Sequence, residues 1–276
     1  MLYLSMLFFL LTLSFSHTGW GTPAKNSPQE SPQVTVAAGT TAPEAVFEAH
    51  LFRDAQGKTI PYRLLKPRNE TLDKYPLVLY LHGTGERGAD NKKNLTYIGT
   101  VFAAPAMRRQ YPAFIAVPQC PEKDNWVAHE GYFGGVPLAA QPAEPLRLTI
   151  ELVRQLMREY PVDPKRIYLI GISSGGSAIW DLLERSPGQY AAAAPFCGSG
   201  DPAKADRLTD IPIWAFHGAL DIVVNPNTTR TMITAIQKAG GHPLFTEYPG
   251  VYHNCWSGTF RNPAFFAWLF AQKRPG

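Results

Sequence analysis

A chain of 276 residues, 45% hydrophobic and 12% aromatic, is long enough to bury one large core or two small ones. Its formal net charge of +4 comes without any long run of Lys or Arg, since Lys92-Lys93 and Arg108-Arg109 are isolated pairs. A nucleic-acid surface is therefore not expected.

Met1 to Phe15 is nearly continuous Leu, Phe and Met, too short for a spanning helix and followed at once by polar residues. Residues 1–18 read as a secretory signal, although the first charged side chain is Lys25 and only the amino terminus supplies positive charge. The expectation is a secreted or periplasmic protein with no stable membrane span after signal cleavage. Residues 19–44 are rich in Pro, Ser and Thr with few large apolar side chains, so they read as a disordered tether. The folded domain is expected over residues 45–276. The three cysteines, Cys120, Cys197 and Cys255, allow one disulfide in an exported protein and leave one thiol over. The sequence does not choose the pair; the placement given below favours Cys197 with Cys255 over three free buried thiols.

Val46 to Phe52 and Thr59 to Leu65 read as two strands around the Asp54-Ala55-Gln56-Gly57 turn, a hairpin at a sheet edge. Pro76 to Leu81 is a buried-strand run ending in His82-Gly83-Thr84-Gly85. The neighbouring Glu86-Arg87 reads equally as an ion pair bracing that loop or as two solvated charges. A short helix is expected at Ala103 to Arg109 and a strand at Phe114 to Val117. Between Glu122 and Gln141 lies a long segment with Trp126, His129, Tyr132 and Phe133, either an aromatic wall of a substrate pocket or an apolar flap over the sheet edge. Leu146, Ile150, Val153, Leu156 and Met157 recur at helical spacing from Glu144 to Tyr160, and Pro161 and Pro164 end that helix.

Ile167 to Ile170 is a short β-prone run of the kind buried on both faces of a parallel sheet. Gly171-Ile172-Ser173-Ser174-Gly175 then fits G-x-S-x-G, a turn that holds its central serine in a strained conformation. Glycines two residues to either side avoid the crowding, and Gly176, Ser177 and Ala178 let the next helix sit close to the sheet. That helix points its N-terminal amides back at Ser173, where a developing anion would be stabilised. Further strands are expected at Ala191 to Phe196, Ile211 to Phe216 and Pro243 to Tyr248, with helices at Asn227 to Ala239 and Asn262 to Gln272. The alternation gives an α/β fold with a mostly parallel central sheet and helices on both faces.

A serine nucleophile needs a base, and the base needs an anion to hold its tautomer. Of seven histidines only His253 both follows the elbow and the acid candidates and stands in a turn after the last strand, His242 lying in the helix-to-strand turn before it. His82 and His217 stand before glycines at strand ends, where a histidine commonly braces a loop. Asp201 and Asp221 both lie beyond later strands, and Asp221, one strand closer to His253 and in an H-G-x-x-D loop, is preferred. Backbone amides of Thr84 and Ser174 are the expected oxyanion donors.

HGTGERG at 82–88, PQCP at 118–121, GISSGG at 171–176, CGSGDP at 197–202, HGALDIVV at 217–224 and YPGVYHNCW at 248–256 resemble blocks of secreted α/β-hydrolases assigned as phospholipases, peptidases or esterases. These are related to dienelactone hydrolases and polyhydroxybutyrate depolymerases, and the likeness runs from about Phe47 to the C-terminus. It implies the α/β-hydrolase fold and the triad Ser173, Asp221, His253. Ser174 and Ser199 depart from the group, where larger or glycine residues are frequent. The resulting expectation is a secreted serine hydrolase of carboxylic esters, acting on a small-molecule or polysaccharide-linked ester without cofactor or metal. Trp126 and Trp256 are candidates for the substrate wall, although tryptophan is more often packing. The alternatives are a serine peptidase of the prolyl-oligopeptidase type and a non-catalytic binding protein on a hydrolase fold; the chain has no propeller-sized segment, and no triad member is missing.

Overall fold

The computed structural model describes residues 42–68, 72–128 and 137–275. Contacts divide the chain into Met1–Ala38 and Gly39–Gly276, and the description concerns the second unit. The signal and nearly all of the tether lie outside the described residues, as do His129, Tyr132 and Phe133 of the long segment.

Eight strands form one sheet: β1 Glu48–Arg53, β2 Thr59–Leu65, β3 Tyr75–Leu81, β4 Phe114–Pro118, β5 Val162–Ile172, β6 Ala192–Phe196, β7 Trp214–Gly218 and β8 Leu244–Tyr248. Their spatial order is β1-β2-β4-β3-β5-β6-β7-β8. The β1–β2 hairpin pairs antiparallel and β2 joins β4 antiparallel, while every pair from β4 to β8 is parallel. The helices are α1 Ile98–Ala103, α2 Pro105–Gln110, α3 Glu144–Glu159, α4 Ser174–Arg185, α5 Asn227–Lys238, α6 Trp256–Thr259 and α7 Pro263–Ala271. Among the described residues no helix is long and apolar enough to cross a membrane.

The unbroken apolar run of β3 follows from cover on both faces. Successive strand side chains point to opposite sides. Leu77, Leu79 and Leu81 accordingly join a core with Leu146, Leu152 and Leu156 of α3 and Ile179 and Leu183 of α4. Val78 and Tyr80 join the other core, with Phe102 of α1 and Phe265, Phe266 and Leu269 of α7. From β3 the chain steps outward to β4, then crosses back to β5 on the other side of β3. The connections therefore diverge at the β3–β5 boundary, where loops leaving the carboxyl ends of parallel strands form a crevice.

Three expectations shift. The single helix at Ala103 to Arg109 is two short helices, because Ala104 is extended (ψ 127°) immediately before Pro105. A residue preceding proline is driven out of the helical region. Strand β5 starts at Val162 rather than Ile167: Tyr75 pairs with Val162 and Leu77 with Ile167, and Pro164 falls in the irregularity between those pairs. Strand β7 begins at Trp214 rather than Ile211, with Ile213 forming only an isolated bridge to Ala193.

Candidate active site

Ser173 alone joins β5 to α4, with φ 55° and ψ −120°. Such a conformation costs a non-glycine residue about 1–3 kcal/mol and persists only where the surroundings enforce it. Here they do. A Cβ on Gly171 would lie 2.3 Å from the Gly175 carbonyl oxygen, and one on Gly175 would lie 2.1 Å from that of Leu81, so only glycines let strand, turn and helix close this tightly. The Ser173 amide donates to the Phe196 carbonyl at 2.8 Å, tying the turn to β6.

The structure brings His253 and Asp221 to this serine. His253 Nε2 lies 2.9 Å from Ser173 Oγ, and His253 Nδ1 lies 2.6 Å from Asp221 Oδ2. A carboxylate only accepts, so Nδ1 carries the proton and the Nε2 lone pair faces the serine hydroxyl. The buried Asp221 side chain also accepts from the Val223 and Val224 amides, at 2.8 and 3.0 Å on Oδ1, and lies 3.2 Å from His217 Nε2. Burial opposes the Asp221 charge, but the hydrogen bonds from His217, His253 and these amides outweigh it and hold the carboxyl well below its usual range. Burial likewise opposes the His253 charge, and the Asp221 hydrogen bond overcomes it, so the imidazole pKa is raised above its ordinary value.

Asp201, the other acid considered, is engaged elsewhere. It caps the 3-10 turn at Pro202–Leu208 through the Ala203 amide and accepts from the Leu138 amide at 3.0 Å. His217 is the loop brace expected of it: Nε2 donates to the Val224 carbonyl at 3.0 Å and Nδ1 meets Thr229 Oγ at 2.8 Å. Donor atoms of Cys197, His217 and Asp221 lie within 4.8 Å of one another. Because the His217 Nε2 lone pair is spent on a proton aimed at Val224 and Asp221, this cluster is the hydrogen-bonded seat of Asp221 rather than a ready set of metal ligands.

The loop after β3 closes over the elbow. A Cβ on Gly83 would lie only 3.3 Å from that of Ser173, which places the Gly83 backbone against the serine. The Gly83 amide donates to Glu86 Oε2 at 2.9 Å, so it is not available to an oxyanion; the next amide, that of Thr84, opens the Thr84–Glu86 3-10 turn and meets no acceptor among the described residues. Ser174, the other expected donor, is the first residue of α4. Desolvation raises the Glu86 pKa. Sequence reasoning left the pairing of Glu86 and Arg87 open, and the structure shows neither expected form. Glu86 holds the Gly83 amide, whereas Arg87 donates to the carbonyls of Thr84 and Asp124 and to Asn125 Oδ1. His82 is fully buried and desolvation lowers its pKa to about 4, leaving a neutral ring that accepts the Cys120 amide on Nε2 and donates from Nδ1 to the Gly83 carbonyl.

Neither tryptophan lines an open wall. Trp126 is buried under the loop and donates Nε1–H to the His82 carbonyl at 2.9 Å, so it supports the loop from beneath. Trp256, also buried, sets its ring edge-on to His253 at 5.3 Å between centroids. Cys197 and Cys255 are buried free thiols with Sγ atoms 2.9 Å apart, and Cys197 Sγ lies 3.2 Å from the His253 carbonyl oxygen. Cys120 is buried on the other face of the sheet.

Residues 140–258 match the model of the dienelactone hydrolase family. The chain is 38% identical to a thermostable esterase of known crystal structure, with a TM-score of 0.77, over 83% of this chain and 64% of that one. A stretch of 75 residues is 32% identical to a bifunctional acetylxylan esterase/xylanase from Neocallimastix patriciarum, covering 27% of this chain and 11% of that protein. A probable carboxylesterase from Oryza sativa subsp. japonica is 25% identical over 194 residues, 65% of this chain and 81% of its own. The chain thus spans just under two thirds of the solved esterase and about a tenth of the fungal enzyme.

Proposed function

We propose, from the premise that this chain is an α/β-hydrolase of the esterase-like kind, that it is a serine hydrolase cleaving carboxylic esters through an acyl-enzyme. One observation carries the reading: Ser173 Oγ, His253 and Asp221 stand in one hydrogen-bonded row at 2.9 and 2.6 Å. Ser173 Oγ attacks the ester carbonyl as His253 Nε2 takes its proton, and Asp221 stabilises the imidazolium that forms. The oxyanion meets the amides of Thr84 and Ser174, beside the positive end of α4. His253 then hands the proton to the departing alkoxide, and water repeats the sequence on the acyl-enzyme. Each step uses groups of this chain alone.

The relatives' printed activities, esterase and carboxylesterase, support the ester assignment. Export belongs to the same proposal and rests on the apolar run at residues 1–15. Ser173→Ala removes the nucleophile without filling or emptying much space. Turnover of p-nitrophenyl acetate should vanish while far-UV circular dichroism is unchanged, and retained Ser173-independent turnover would refute the assignment. Mature protein beginning at Met1 would refute export.

A further inference from the structure

The loops carrying Asp221 and His253 break a rule that the rest of the surface keeps. Large apolar side chains are exposed at eight described positions, and four of them, Leu220 (46%), Ile222 (83%), Val223 (47%) and Tyr252 (61%), lie within two residues of Asp221 or His253. Exposed apolar side chains gathered in one place mark an interaction surface, whereas scattered ones need no explanation.

The two loops form one piece of surface. Ala219 donates to the Tyr248 carbonyl and Leu220 to the Val251 carbonyl, both at 3.0 Å. The Gly218 backbone is so close to the second loop that a Cβ there would meet the Tyr252 carbonyl oxygen at 2.0 Å. Nor can the first loop turn its apolar side chains inward. The amides of Val223 and Val224 are fixed on Asp221 Oδ1, and the Asp221 amide donates to the Gly218 carbonyl at 3.1 Å. The turn that seats the carboxylate therefore also holds Leu220, Ile222 and Val223 toward water.

We propose that Leu220, Ile222, Val223 and Tyr252 form an apolar rim that receives the hydrocarbon part of the ester. The preferred substrates are then esters bearing several carbons beyond the ester group, not acetates of small polar alcohols. This rests on the serine-hydrolase reading. The occupant follows from continuity with the site: the scissile carbonyl sits at Ser173 Oγ and the leaving oxygen takes its proton from His253 Nε2, so the group on one side of the ester extends past the loops of His253 and Asp221. Burying hydrocarbon there removes apolar surface of both partners from water.

Two series separate the acyl from the alcohol side: p-nitrophenyl acetate, butanoate and hexanoate, and the acetates of ethanol, butanol and hexanol followed by pH-stat. In at least one series kcat/KM should rise about two- to fourfold per methylene, from half of the transfer free energy from water up to all of it. The double variant Ile222→Ser/Tyr252→Ser should lower the hexyl-to-shortest ratio in that series about tenfold, with circular dichroism unchanged. Flat dependence in both series, with turnover still abolished by Ser173→Ala, overturns the rim and leaves the serine-hydrolase reading standing. A ratio that the double variant does not move also overturns it, including where the variant changes the elution volume and so assigns the rim to contact between copies. Absence of Ser173-dependent turnover on every ester overturns both.

Discussion

Asp221→Asn preserves shape while reversing one hydrogen-bonding atom, and the surroundings dictate which. The Val223 and Val224 amides both point at Oδ1 and can only donate, so the asparagine oxygen must stay there. Its NH2 then occupies the Oδ2 position, 2.6 Å from His253 Nδ1 and 3.2 Å from His217 Nε2. His253 can meet that donor only by moving its own proton to Nε2, and Nε2 then donates to Ser173 instead of accepting from it. The base is held in the wrong tautomer. A loss of about 10⁴ in kcat is expected from such an inversion, about 5 kcal/mol at 1.36 kcal/mol per decade. Steady-state kcat for p-nitrophenyl acetate measures it. The pH profile of kcat/KM gives a second readout. A neutral His253 is required, so with its pKa raised by Asp221 the wild-type rate should fall as pH falls through a value above about 6.5, and removing the charge should move that limb downward. The stability contributed by the depressed Asp221 pKa is lost in the same direction, at lower pH. It is present above about pH 4 and is lost as pH falls further. Asp201→Asn, which disturbs a cap and the Leu138 contact, should leave kcat within a few-fold. A loss below tenfold for Asp221→Asn, or an equal loss for Asp201→Asn, would refute the reasoning.

Glu86→Ala frees the Gly83 amide to compete for solvent or for the oxyanion, and the loop should relax. About a tenfold fall in kcat with little change in KM is expected for p-nitrophenyl acetate, with partial recovery in Glu86→Gln, whose carbonyl can still accept from Gly83; loss of KM alone would make Glu86 a binding residue instead. Cys197 and Cys255 are thiols whose Sγ atoms lie 2.9 Å apart, so mild oxidation should link them, read by peptide mapping under non-reducing conditions; persistence of both thiols after oxidation would remove the pairing.

The elbow was legible because its chemistry demands rare residues at fixed spacing: Gly171 and Gly175 are glycine for want of room, and a serine between them has few other uses. His253 and Asp221 were legible through chain order and strand ends, which the parallel topology converts into proximity. Local signals failed where tertiary contacts outvote them. Pro164 reads as a helix terminator, yet it sits in a strand irregularity that only the β3 partner defines. Trp126 reads as a wall residue because its neighbours in sequence are aromatic; its indole N–H finds the His82 carbonyl 44 residues away. Glu86 carries no motif that distinguishes a brace from a solvated charge, because its role depends on the Gly83 amide turning toward it. The apolar rim was visible as the residues Leu220, Ile222, Val223 and Tyr252, but exposure is not a property of sequence.

The precision of the site traces to the sheet rather than to the loops. Past the ends of the strands the parallel ladder continues by single steps: the Ser173 amide donates to Phe196 of β6, the Cys197 amide to Phe216 of β7, and the Ala219 amide to Tyr248 of β8, at 2.8, 2.9 and 3.0 Å. Each bond fixes the first residue beyond one strand on the last stretch of the next. Ser173 and Cys197, the first two of these, both have positive φ, 55° and 49°, so the ladder enforces backbone strain where Ser173 Oγ and the thiol beside the His253 carbonyl stand. Serine, acid and base therefore share one rigid reference, and the 2.9 and 2.6 Å spacings of the row are set by strand stagger before any substrate binds. The loops are left free to vary the rim, so specificity can change in this architecture without moving the serine.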